Sequence, residues 1–426
     1  MRLMFAMLAA ALALTSAQAQ WFEVTLPADS WPTMLCRNTQ DDYVYCANWG
    51  GDNVTVINGA TNTVVTTILV GEEPHAVIYN GIDNEVLCLN EASKTVSVID
   101  GTTNLVVATE SLFTHPWDGI WCRPYNKVYV LGHSPDAVVV LDGATHAIDT
   151  TIAFPADPYG VCYDDTDLRV YVSVRADSTV RAIDCVTNAV VATIPVGPAP
   201  NRLCWNPQQN KVYTATADGN DSTVSIIDCA TNTVAATLVT GVYPYRLGYD
   251  PDMSRVYVCH ASTNAIAVID GTGDTVVMTI PTTDHSEGMC SAPHYGHVFC
   301  TMRNDSVLVL NSTTGDVIAR VPVGGRPHEP IYNATDNRVY TADYDGATVS
   351  ILRGSVSGIL GDQESWTVEK RAPTVVSRAR LLAALAESDL ALFDASGRAI
   401  AGPGQVRPGV LFLRAGATCR KVLLLD

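Results

Sequence analysis

Apolar and polar positions alternate along this chain in short runs, and the runs come in groups of four. Residues 74–112 contain "PHAVIYN", "EVLCLN", "TVSVID" and "LVVATE". Each run is rich in Val, Ile, Leu or Tyr and is bounded by Gly, Pro, Asn or Asp, which predicts four short β-strands, A to D. The third run recurs most plainly. It reads "VTVIN" to Asn58, "VSVID" to Asp100, "VVVLD" to Asp142, "VRAID" to Asp184, "VSIID" to Asp228, "IAVID" to Asp270, "VLVLN" to Asn311 and "VSILR" to Arg353. Successive copies lie 41 to 44 residues apart, and no segment between them keeps a helical period. Four-stranded units at this spacing predict an all-β fold: a β-propeller, each unit a twisted sheet around a central channel.

The C–D turn is closed by Asn62, Asn104, His146, Asn188, Asn232, Asp274 or Gly315, residue types that best tolerate positive φ. His146 is therefore read as a turn residue and not a catalytic one. The eighth unit stops after its strand C. Near the start, Thr25-Leu26-Pro27 parallels Thr193-Ile194-Pro195 at the end of a strand D. Residues 21–27 are thus expected to complete the last blade and remove a raw sheet edge. The prediction is an eight-bladed ring over residues 20–353, with seven blades and a spare unit as the alternative.

The ends differ from the repeats. Residues 1–19 carry Arg2, an apolar run from Leu3 to about Leu14 and the small-x-small triplet Ala17-Gln18-Ala19, the pattern of a signal peptide cleaved after Ala19. The run is shorter than the ~20 residues of a spanning helix, and no later segment is apolar enough to span. The expected location is extracellular or at the outer cell surface, with no transmembrane segment after cleavage. Residues 354–371 read as a linker. Residues 372–426 hold "DLALFDASGRAI", "GVLFLRAG" and "RKVLLLD", short strands that predict a small immunoglobulin-like β-sandwich.

Charge narrows the partners. The chain has 26 basic and 44 acidic side chains, a net of −18. The deficit sits in residues 21–353, with 16 Lys/Arg against 37 Asp/Glu, whereas residues 354–426 carry 9 against 7. Such acidity argues against nucleic acid and against anionic lipid surfaces, both of which need a cationic face.

Twelve cysteines in an exported chain invite a disulfide framework. Their placement argues otherwise for most. Cys46, Cys88 and Cys300 share one strand-B position elsewhere filled by Val or Thr, as small buried apolar residues do. Cys36/Cys46 and Cys290/Cys300 lie ten residues apart on adjacent strands and cross-link only if directly opposed.

The motifs "KVYVLG", "RVYVSV", "TVSVIDGTTNLVVAT" and "VVATIPVGPAP" resemble those of the YVTN-repeat propellers, the surface-layer-type family that includes YncE-like proteins. The resemblance covers about residues 21–353 and implies an extracytoplasmic propeller; it implies little about activity. In the tail, "LFDASGR", "PGVLFL" and "KVLLLD" resemble the C-terminal sorting domain of the type IX secretion pathway. That resemblance implies export across an outer membrane, with the secretion machinery as a partner.

Candidate chemistry lies in the D–A loops, which surround the channel mouth of a propeller. They read "WPTM", "EPHA", "HPWD", "DPYG", "APNR", "YPYR", "DHSEG" and "RPHE". Around the ring these place His75, Trp117, Asp118, Tyr159, Asn201, Arg202, Tyr245, Arg246, Glu287, His328 and Glu329. Other repeat positions are monotonous; these differ in every blade. Aromatic faces beside Arg and carboxylates suit a glycan, peptide or small acid. The alternative is a solvated mouth with internal salt bridges. No metal-ligand spacing, C-x-x-C, G-x-S-x-G or phosphate loop occurs, so no cofactor or metal is expected. The leading function is a non-catalytic binding or scaffold protein. The alternative is a lactonase-like hydrolase at the mouth, with His75 or His328 acting with Glu287 or Asp118.

Overall fold

The computed structural model describes residues 20–216, 218 and 221–356, and beyond them strand residues 367–368, 374–377, 391–393, 409–415 and 418–425. The chain divides into two units between Ser355 and Val356.

The first unit is built from eight four-stranded antiparallel sheets. Blade 1 has strands A to D at Pro32–Asn38, Tyr43–Asn48, Asn53–Asn58 and Thr63–Leu69. The A strands of neighbouring blades touch one another all round, including the last (Ile331–Asn333) against the first. They therefore line the channel of a closed eight-bladed ring, and the seven-bladed alternative is set aside. B and C strands are covered on both faces, as in "VYVL" of Lys127–His133, whereas D strands such as Leu105–Ser111 alternate half-buried with exposed residues. The core accordingly lies between blades. Tyr45, Val54 and Val56 of blade 1 pack on Val77, Val86 and Cys88 of blade 2, and the pattern recurs around the ring.

The repeated turn residues hold this stack together. All seven C–D closing positions have positive φ, from 49° at Asp274 to 76° at Gly315, with His146 at 64°. A second reason for Asn also emerges. Strand B carries a buried Tyr in six of the eight blades, and in four of them its hydroxyl donates to the Asn of the next blade's turn. Tyr129 donates to Asn188 Oδ1 at 2.8 Å, Tyr171 to Asn232 Oδ1 at 2.9 Å and Tyr340 to Asn62 Oδ1 at 3.3 Å. Blade 2 has Leu87 instead of Tyr, and there Glu85 meets His146 Nε2 at 2.7 Å.

The ring is shut by the amino-terminal strand. Phe22–Pro27 pairs antiparallel with Thr348–Arg353, Pro27 facing Thr348 as Pro195 faces Thr179. Trp21 is fully buried, edge-on to His297 at 5.0 Å and Phe299 at 5.8 Å in blade 7. A bulge frees Glu23 from the ladder. Its carboxylate accepts from Arg338 Nε at 2.8 Å, Asn62 Nδ2 at 2.6 Å and Arg353 Nε at 3.2 Å. Burial alone would push this carboxyl up; the hydrogen bonds and charge of Arg338, with Arg353 and Asn62, bring it below its ordinary value.

Among the described residues eleven cysteines are free thiols. Cys36 faces Tyr45 and Leu35 faces Cys46; Cys290 faces Phe299 and Met289 faces Cys300. Each considered pair is thus offset by one residue, which sends the two side chains to opposite faces of the sheet. Direct opposition, the condition for a bridge, is not met.

In the second unit Gly409–Ala415 and Thr418–Leu425 form an antiparallel hairpin, with Thr374–Ser377 running parallel to the latter. Ala391–Phe393 pairs antiparallel with Gly409–Ala415; the other residues of the predicted sandwich, residues 1–19 and most of the linker lie outside the described residues.

If Trp21 fixes the closing strand, Trp21→Ala costs about 3–5 kcal/mol, and removal of residues 21–27 lowers the melting temperature further. Calorimetry of wild type and both variants checks this; unchanged melting would show that the strand is dispensable.

Candidate functional site

Each inner strand starts with a defect. Strand A opens on Pro in blades 1, 2, 4, 5 and 6 and on His115-Pro116 in blade 3, and in each the register slips within three residues of that Pro; blade 7 does so after Ser286. In blade 8, Pro327 makes an isolated bridge to Asp343 and pairing resumes at Ile331. A bulge leaves residues outside the ladder and re-aims their side chains. The residues so released are those of the D–A loops. The residue before the proline is at positive φ in Trp31 (55°), Glu73 (55°), Tyr243 (57°) and Arg326 (49°), a conformation that costs energy for a side-chain-bearing residue. It is held by the first residue of the B–C loop, whose N–H donates to its carbonyl: Trp49 to Trp31 at 2.9 Å, Glu91 to Glu73 at 2.9 Å, Tyr344 to Arg326 at 3.1 Å. Two loops of each such blade are thereby tied side by side at the mouth.

Two positions after the proline, or its blade 7 counterpart, the ring reads Met34, Ala76, Asp118, Gly160, Arg202, Arg246, Gly288, Glu329. Asp118 of blade 3 pairs with Arg202 of blade 5, and Glu329 of blade 8 with Arg246 of blade 6. Each ion pair skips one blade, and the skipped blade has glycine. A Cβ on Gly160 would lie 2.9 Å from Arg202 Cα, and one on Gly288 would lie 2.8 Å from Glu329 Cα. Burial pushes the Asp118 carboxyl up and Arg202 pulls back, leaving a net rise. Burial opposes the Arg246 charge, but Glu329, Tyr245 and Glu287 outweigh it and keep the guanidinium firmly protonated.

Beside these chords lies a cavity of about 330 Å³. Of the sequence-predicted residues, His75, Trp117, Arg202, Tyr245, Arg246 and His328 line it. Asp118 and Glu329 do not; they stand behind as counter-ions of the two arginines. Tyr159 packs outside, 5.6 Å from Trp117 and under Arg175 at 4.5 Å. Glu287 turns to Arg303, 3.9 Å away. Asn201 is buried, its carbonyl accepting from Ser173. Part of the predicted set is thus committed to internal salt bridges and part faces open space. Thr33, Met34 and Arg326, in loops already recognised, and Trp49, Glu91 and Tyr344 also line the cavity. The last three all occupy the first position after strand B, which varies from blade to blade as the D–A positions do.

Burial holds His75 and His328 in the neutral form. His75 stacks on Trp117 with ring centroids 3.8 Å apart, and its Nδ1 lies 2.8 Å from the Trp117 carbonyl. A carbonyl only accepts, so Nδ1 carries the proton and Nε2 is the free lone pair. Burial, then Arg202, lowers its pKa from 6.5 to about 3. His328 stacks on Tyr344 at 4.9 Å, and burial with Arg246 and Arg326 lowers it likewise to about 3. Neither histidine forms the pairing with Asp118 or Glu287 that acid–base catalysis would use. Among the described residues no group of three His, Cys, Asp or Glu side chains is placed to hold a metal. Likewise no helix among them is long and apolar enough to cross a membrane.

The fold and its mouth define an eight-bladed β-propeller. No protein-family profile matches the chain, and no curated protein matches it in sequence. Solved structures do. Sqt1 of Saccharomyces cerevisiae superposes with a TM-score of 0.67 at 11% identity, over 78% of this chain and 98% of its own. BamB of Moraxella catarrhalis gives 0.61 at 15%, over 78% and 100%. The computationally designed Ika8 protein gives 0.65 at 16%, over 78% and 99%. At these identities the likeness is one of fold alone.

The neutral histidines couple the mouth to pH. Between about pH 6.5 and 3 the unfolded chain takes up protons at His75 and His328 that the folded chain refuses, so stability falls as pH drops through that window. A His75→Asn/His328→Asn variant is expected to lose less melting temperature than wild type between pH 7 and pH 4. Parallel curves would contradict it.

Proposed function

We propose that this chain is an exported, non-catalytic binding or scaffold propeller whose mouth cavity holds a small ligand. The observation that carries this is convergence. Six side chains from the loops of five different blades meet at one cavity, although nothing in the packing of the blades requires them to be chemically distinct. Aromatic faces, neutral imidazoles and fixed arginines recognise; they do not by themselves supply a nucleophile. The lactonase-like alternative needs a histidine–carboxylate pair. Asp118 is engaged by Arg202, and the His75 Nδ1 proton is engaged by a main-chain carbonyl.

The location follows from the ends of the chain. We read residues 1–19 as a cleaved signal peptide, residues 21–353 as a YVTN-repeat propeller of the YncE-like kind, and residues 372–426 as a type IX sorting domain. Together these would deliver the propeller to the outer surface or medium. The tail "LFDASGR…PGVLFL…KVLLLD" supports that route. A chain lacking 372–426 should then remain in the periplasm; secretion at wild-type level would argue against a sorting role.

Ligand binding is checked by thermal shift of the mature chain against glycans, peptides and small acids, beside a Trp117→Ala/Tyr245→Ala variant. The expected result is hits that the variant loses. Hits bound equally by both proteins would place the site elsewhere.

A further inference from the structure

Three guanidinium groups reach the cavity, and they are not equivalent. Arg202 and Arg246 each face a carboxylate from two blades away. Arg326 forms no ion pair with any described residue. Its guanidinium lies over the Tyr344 ring at 5.2 Å, and its Nε is buried without a hydrogen-bond partner. Its own N–H donates to Asp305 Oδ1 at 2.8 Å and its carbonyl accepts from Tyr344, so the backbone that aims it is fixed at both ends. A half-buried cation without a counter-ion is costly, and here it opens on a cavity whose nearest imidazole, His328, is neutral.

The indole N–H groups of Trp49 and Trp117 and the Nε–H groups of Arg202 and Arg246 are likewise occluded and unpartnered, so among the lining cations it is the unpaired Arg326 guanidinium that favours an anionic guest. The apolar faces set its shape. Trp117 stacked on His75 and Tyr344 stacked on His328 present flat surfaces. A volume of about 330 Å³ is at the small end for ligand pockets, enough for one ring and its substituents.

We propose that the cavity binds a small carboxylic acid built on a single six-membered ring, with Arg326 as the ion partner of the carboxylate and the aromatic side chains as the platform for the ring. This rests on the reading of the mouth as a ligand site and adds the ligand's class. Both an aromatic acid and an acidic sugar meet the description. In a chain of net charge −18 Arg326 draws an anion against a repulsive surrounding field, and salt screens both the attraction and the repulsion.

Calorimetric titration of the mature chain tests this with benzoate and 4-hydroxybenzoate in one arm and glucuronate and galacturonate in the other. Benzamide, glucose and galactose are the uncharged controls, and acetate is the carboxylate without a ring. The expected result is saturable binding of at least one ring acid, tenfold or more tighter than its uncharged counterpart and than acetate, with a loss of about tenfold or more in Arg326→Gln. The arm that binds distinguishes aromatic from sugar acids. Equal binding of acid and uncharged ring, lost in Trp117→Ala, would overturn the carboxylate class and leave the mouth as the site. Acid binding unchanged in Arg326→Gln would overturn the assigned ion partner. No binding by any ring compound to folded protein would overturn the proposal and weaken the mouth reading with it.

Discussion

A ring of sheets stays shut only if its last edge finds a partner. Here the partner is six residues long. Phe22–Pro27 supplies the outer strand of a blade whose other three strands arrive more than three hundred residues later. Ladder bonds alone are modest. The strand is held as well by Trp21, buried in blade 7, and by Glu23, which gathers two arginines and an asparagine from blades 8 and 1. Blades 7, 8 and 1 are thus locked by one segment.

The mouth depends on this closure. Its ion pairs are chords between blades 3 and 5 and between blades 6 and 8, and a chord has a fixed length only in a ring of fixed pitch. The cavity draws its walls from blades 8, 1, 2 and 3 with arginines from blades 5 and 6 opposite. A ring opened at blade 8 would carry off His328, Tyr344 and Arg326 together. Monotony and variety along the chain therefore have separate physical causes. Rim positions repeat because each must fit the left-handed turn, and the four Asn among them also accept a tyrosine hydroxyl from the blade before. Mouth positions are free to differ because the bulge after each proline takes them out of the ladder.

Much of this was legible in the sequence because the repeat is local. The eight strand-C runs, the positive-φ turns and the displaced first strand all follow from spacing and residue type. The D–A loops were legible because proline marks them. What escaped required relations between blades. The first residue after strand B reads as an ordinary turn residue until its N–H is seen tied to the neighbouring loop; only then do Trp49, Glu91 and Tyr344 join the site. The Asp118–Arg202 and Glu329–Arg246 pairs skip a blade, so nearest-neighbour reasoning passes over them, although Asp-Gly-Arg followed by Arg-Gly-Glu at one repeat position was visible in principle. The cysteine pairs stayed open in the sequence for a different reason: a ten-residue spacing does not specify register to one residue, and one residue decides the face.

Native-state hydrogen exchange of the mature chain tests the closure most directly. The account predicts that the amides donated by Phe22–Pro27 and by Thr348–Arg353 exchange together, as slowly as those of the central B strands, because they open only when the ring opens. Exchange of the first strand within seconds, with the rest of the propeller still protected, would contradict it.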